Sequence, residues 1–166
     1  MKKEMIWRIA TTASAVGWMC LIFSFSAQPA VESSQVSSSF SGGLVETVAK
    51  IFGIDMTGES VAHVAAVIEY PVRKAAHMTE YAIMGLLSFA FYQSFGIGKK
   101  RYLISLLTAA AYAATDELHQ LFVPGRSGRI SDVCIDTIGA AIGLLILYFV
   151  LNLIRKHCEK KNHPLQ

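Results

Sequence analysis

The sequence predicts an all-α, polytopic membrane protein with four transmembrane helices and short interfacial helices in its first external loop. Three observations carry this: a very apolar composition, four windows of membrane-spanning length, and basic residues collected on one side of those windows. Of the 166 residues, 53% are hydrophobic and 16% charged, with a mean hydropathy of +0.43. That balance is too apolar for a soluble domain of this size. Windows at about 5–26, 74–96, 102–123 and 132–154 stay apolar on every face for the ~20 residues that cross a ~30 Å hydrocarbon core. Together they read as one membrane domain, 1–166, with an external segment at 27–73 and no internal repeat of the kind transporters carry.

The first window follows Lys2 and Lys3, and the small residues of "SFSAQPA" resemble a cleavage region. A signal core is about 7–15 apolar residues, whereas this window runs longer and contains Trp7 and Trp18, so it is read as an uncleaved first span. In the external segment, the serine-rich "PAVESSQVSSS" is read as a loop. Phe40, Leu44, Val48, Ile51 and Phe52 then form the stripe of an amphipathic helix, and Val61, Val64, Ala65 and Ile68 form a second. That second stripe is expected to end before Pro71, which suits the first turn of the next helix. Helices of this kind lie at the membrane interface, either as a packed cap or as a lid.

Lysine and arginine accumulate on the cytoplasmic side of membranes. Lys2, Lys3 and Arg8 precede span one. Lys99, Lys100 and Arg101 join spans two and three, and Arg155, Lys156, Lys160 and Lys161 follow span four. Both termini are therefore expected in the cytoplasm, with Lys50, Arg73, Lys74, Arg126 and Arg129 outside. The net charge of +3 is accounted for by this topology, and no nucleic-acid motif accompanies it. Cys20, Cys134 and Cys158 have neither disulfide nor C-x-x-C spacing.

With that orientation, the charges inside the spans gather at the outer end. Glu80 lies roughly 9 Å below Lys74, Glu117 roughly 9 Å below Val123, and Asp136 roughly 6 Å below Asp132. Arg73, His77 and Glu80 share a stripe in span two; Tyr112, Asp116 and Gln120 share one in span three; Asp132, Asp136, Gly139 and Gly143 share one in span four. Gly139-x-x-x-Gly143 allows a neighbouring backbone to approach closely. Ionisable groups in a bilayer are costly and face the bundle to find partners. Here Arg73, Arg126 and Arg129 are expected to pair with Asp116, Glu117, Asp132 and Asp136. Either the charges only fix packing, or they form a site.

As a site, His77 and Glu80 would serve as proton-transfer base and orienting acid, alongside Asp116, Glu117 and Asp136. The "VPGRSGR" turn adds Arg126, Ser127 and Arg129, whose guanidinium forks suit a phosphate or carboxylate, and Ser131 or Asp132 caps span four. No H-E-x-x-H or E-x-x-H array sets up a metal, so neither metal nor cofactor is expected.

The blocks "FSFSAQP" (Phe23–Pro29), "RKAAHMTEYAIMG" (Arg73–Gly85) and "TDELHQLFVPGRSGRISDVCIDTIGAAIG" (Thr115–Gly143) resemble the VanZ-like family of small bacterial membrane proteins. That family is named for an accessory protein of glycopeptide-resistance clusters linked to low-level teicoplanin resistance. The resemblance implies a four-span bundle in the bacterial cytoplasmic membrane. Its motif residues here are Arg73, His77, Glu80, Tyr81, Asp116, Glu117, Gln120, Arg126, Asp132, Asp136 and Gly139. Two function classes remain. One binds or modifies a membrane lipid, a lipid-linked envelope precursor or a lipoglycopeptide at the outer leaflet, with Arg73, Tyr81, Gln120, Arg126, Ser127, Arg129 and Asp132 holding the ligand. The other is a non-catalytic binding or structural factor.

Overall fold

Five helices follow one another: α1 (Lys2–Ser26), α2 (Ala30–Phe52), α3 (Gly58–Ser94), α4 (Arg101–Gln120) and α5 (Ile130–Asn162), with no strand among the described residues. The computed structural model describes residues 1–162; the last four residues of the expected domain lie outside them. α1 and α5 are long and apolar enough to cross a membrane. α3 and α4 place His77, Glu80, Asp116 and Glu117 within the corresponding length, which lowers their apolarity.

The external segment differs from expectation in two ways. First, the serine-rich stretch is helix, the first half of α2. Pro29 is its N-cap, Ser38 turns its hydroxyl back to the Gln35 carbonyl at 3.2 Å, and Ser34 and Ser41 face the protein. Packing against α3 outweighs the weak helix propensity of serine. Gly53, with φ +66°, closes α2 in the left-handed conformation.

The apolar stripe of α2 lies on its outer face. Phe40, Leu44, Val48, Ile51 and Phe52 are 40 to 74% exposed, whereas Ser41, Val45 and Ala49 are buried. Small side chains let α2 and α3 approach closely, so the large ones are left on the outer face. Second, no break precedes Pro71. Thr57 caps α3 by accepting from the Ser60 N–H at 3.2 Å, and the helix runs through Pro71 to Ser94. The proline ring is exposed, so α3 loses only the hydrogen bond to the Val67 carbonyl.

α3 and α5 pack through small residues. A β-carbon at Gly139 would fall 2.7 Å from Met78 Cα, and one at Gly143 2.8 Å from the Ala82 carbonyl oxygen; Gly85 faces Ala140. The expected close approach at Gly139-x-x-x-Gly143 is therefore present. α1 is tied to α3 and α4: Trp18 Nε1 donates to the Glu80 carbonyl at 2.9 Å, and Tyr112 Oη to the Met19 carbonyl at 2.6 Å. At the opposite end Arg8 Nε donates to the Ser94 carbonyl at 3.1 Å. The core is Ile22, Tyr81, Met84, Ala109, Ala113 and Ala140. Large apolar side chains such as Ile138, Leu145, Phe149 and Leu153 remain on the outside of α5, which fits a lipid-facing surface.

A charged cavity at one end of the bundle

α4 ends at Gln120, and Gly125, with φ +75°, turns the chain back toward α5. This turn is anchored on the other helices. Arg126 donates through Nε to the Gln28 carbonyl and through Nη2 to the Phe25 carbonyl, both at 3.1 Å, satisfying the exposed C-terminal end of α1. The Pro124 carbonyl accepts from the Ala30 N–H at 3.1 Å, joining the turn to the start of α2. Beneath it lies a cavity of about 300 Å³.

Nine residues expected at a site line this cavity: Arg73, His77, Glu117, Gln120, Arg126, Ser127, Arg129, Asp132 and Asp136. Three do not. Tyr81 is fully buried in the core, Asp116 is 4% exposed behind the wall, and Glu80 is half-buried away from the lining. The His77–Glu80 pair is not joined by a hydrogen bond, since Nδ1 and Oε2 stand 3.6 Å apart. Glu80 lies where Trp18 of α1 closes over its carbonyl, while His77 faces the cavity.

The expected pairing of arginines with carboxylates is also corrected. Arg73 pairs with Glu69 of its own helix at 2.5 Å and donates to Ser34 Oγ at 3.2 Å. Arg126 is taken up by carbonyls, and the Arg129 side chain is exposed. The ion pair that joins two helices is Lys74 Nζ to Asp132 Oδ2 at 2.6 Å, linking α3 to α5. Glu117 Oε2 accepts from the Arg129 backbone N–H at 2.7 Å, and Asp116 Oδ2 from Gln120 Nε2 at 3.2 Å. His119, which stacks on Phe23 with ring centroids 4.4 Å apart, takes no part in the lining.

Sequence reasoning left out Lys74, Tyr70 and Ser33, which also line the cavity. Lys74 was legible in principle. It precedes Met78 and Ala82 by four and eight residues, on the face that meets the glycines of α5. Burial and then the Arg73 guanidinium push Arg126 below its usual pKa, opposed by Asp116, Glu117 and Glu80. Guanidinium stays protonated, so two partly buried cations sit close enough to repel each other, a setting that favours an anion. No group of three or more His, Cys, Asp or Glu side chains suited to a metal ion occurs among the described residues.

The family model described as VanZ/LLP1 matches residues 12–152. The chain belongs to the VanZ/LLP1 family. The match runs from the first turns of α1 into the second half of α5, so the VanZ/LLP1 region contains every residue that lines the cavity. No curated protein and no solved structure matches the chain.

Proposed function

We propose that this VanZ/LLP1 protein is a four-span protein of the bacterial cytoplasmic membrane, and that its cavity opens at the outer leaflet to bind the anionic group of a lipid-linked or lipid-tailed envelope ligand. The observation that carries this reading is the cavity itself. Among the described residues Arg126 and Arg129 have no carboxylate ion partner, and they line a headgroup-sized space beside the first turn of α2. Guanidinium forks and unsatisfied helix N–H groups both favour phosphate or carboxylate. The arrangement supports binding more directly than proton-transfer chemistry, because His77 lacks a hydrogen-bonded orienting acid.

Teicoplanin tolerance is the phenotype the family resemblance points to, and teicoplanin carries a lipid tail that brings it to the membrane. Expression in a sensitive Gram-positive host is expected to raise tolerance to teicoplanin more than to vancomycin. His77→Ala, Glu117→Ala and Asp136→Ala are expected to abolish that gain at similar membrane abundance. The abundance control is essential, since losing Glu117 leaves the Arg129 N–H without its acceptor, which costs about 1–3 kcal/mol and imitates loss of function. A purely structural role is favoured by one specific observation: Lys74, Asp132, Arg73 and Glu69 already neutralise one another. Full tolerance in all three variants at normal abundance would establish that role instead.

A further inference from the structure

The polar groups of the cavity do not cancel. Arg73 is paired with Glu69 and Lys74 with Asp132, which removes those four charges from the balance. Two guanidinium groups, Arg126 and Arg129, remain toward the turn, and two carboxylates, Glu117 and Asp136, remain among the lining residues. Asp136 is the exceptional one: it lines the cavity, is only 2% exposed, and no hydrogen bond or ion pair among the described residues reaches it. A carboxylate so deeply buried calls for a cationic or hydrogen-bonding partner.

We propose, resting on the binding role above, that the ligand of this cavity is a zwitterionic headgroup, with its phosphate toward Arg126 and Arg129 and its primary ammonium against Asp136. An ammonium brings three donors. The lining offers three kinds of acceptor for them: the Asp136 carboxylate, Glu117 Oε1, whose partner oxygen is held by the Arg129 N–H, and Gln120 Oε1, whose amide nitrogen is occupied by Asp116. Asp136 lies one turn, roughly 6 Å along α5, from Asp132 at the Lys74 level. An amine held there lies further from the α4–α5 turn than a phosphate at Arg126 and Arg129. A bare divalent ion fits less well, since the same region holds no three-ligand group among the described residues.

The test is native mass spectrometry of the full chain in detergent, titrated with phosphatidylethanolamine and phosphatidylglycerol of identical acyl chains. A charge-assisted hydrogen bond to the amine predicts about tenfold or greater preference for phosphatidylethanolamine. Asp136→Asn should reduce that lipid's binding to the level of phosphatidylglycerol, Asp136→Glu should retain a preference, and Arg129→Ala should weaken both lipids alike. Equal binding of the two lipids to the wild-type chain, or a preference that survives Asp136→Asn, overturns the zwitterion and leaves the anion site standing. Indifference of both lipids to Arg129→Ala and Arg126→Ala overturns the anion site and, with it, the zwitterion. O-phosphoethanolamine in solution serves as a further arm. Displacement of the lipid by it at comparable concentration supports the zwitterion and assigns a soluble source, whereas failure to compete assigns the lipid.

Discussion

Gly139 shows how one missing β-carbon sets the position of the whole acidic face. Its added carbon would lie 2.7 Å from Met78 Cα, against backbone that cannot rotate away, whereas one at Gly17 of α1 would meet nothing within 4 Å. Gly139→Ala is therefore expected to destabilise the protein by about 1–3 kcal/mol through overpacking. Gly17→Ala should be neutral or stabilising by up to about 1 kcal/mol, because alanine is the better helix former. Thermal unfolding of the two variants in detergent measures the contrast. Similar loss from both would mean that the α3–α5 contact is not as close as described. This packing was legible in the sequence because a four-residue spacing places Gly139 and Gly143 on one face whatever the partner. The ion pairs were not, because pairing depends on where long side chains end. Lys74 was counted only as a topological charge, while its partner Asp132 was assigned to the arginines.

At the scale of elements, α1, α4 and α5 were readable from apolar length alone, whereas α2 and the start of α3 were misread for two separate reasons. Serine-rich sequence favours turns locally, and helix formation in α2 depends on a neighbour that local propensity does not contain. Periodicity identified the stripe Phe40, Leu44, Val48, Ile51 and Phe52 as helical, and these side chains lie on the outer face of α2 while Ser41, Val45 and Ala49 pack inward. Pro71 misled in the same local way, since an exposed proline costs a long packed helix one hydrogen bond without ending it. The correction is measurable. In a variant without native cysteines, single cysteines from Ser33 to Ser41 should react with a thiol reagent with a period near 3.6 residues. Val36 and Phe40 should be reactive, and Ser34, Ser37 and Ser41 protected. Uniform reactivity across the segment would restore the loop.

For the whole molecule, the decisive property is which end faces the cytoplasm, because the proposed ligand must reach the cavity from outside. By sequence, Lys2, Lys3, Arg8, Lys99, Lys100, Arg101, Arg155, Lys156, Lys160 and Lys161 belong to one side, against Lys50, Arg73, Lys74, Arg126 and Arg129 on the other. The fold sharpens that asymmetry. The Arg8–Ser94 contact gathers the start of α1 and the end of α3 at one pole, and the cavity lies at the opposite one. At the cavity pole Arg73 and Lys74 are neutralised by Glu69 and Asp132, which leaves Arg126 and Arg129 there, while Lys2, Lys3, Lys99 and Lys100 at the other pole are all exposed. Free positive charge is what resists transfer across the membrane, so the basic pole is expected to stay in the cytoplasm. In the cysteine-free background, Gln35→Cys should be labelled by a membrane-impermeant thiol reagent on intact cells, and Lys99→Cys only after permeabilisation. Both positions are exposed, so a failure to label reflects sidedness and not burial. Labelling of Lys99→Cys in intact cells would turn the cavity toward the cytoplasm, and an outer-leaflet headgroup or a glycopeptide arriving from outside could then not be its ligand.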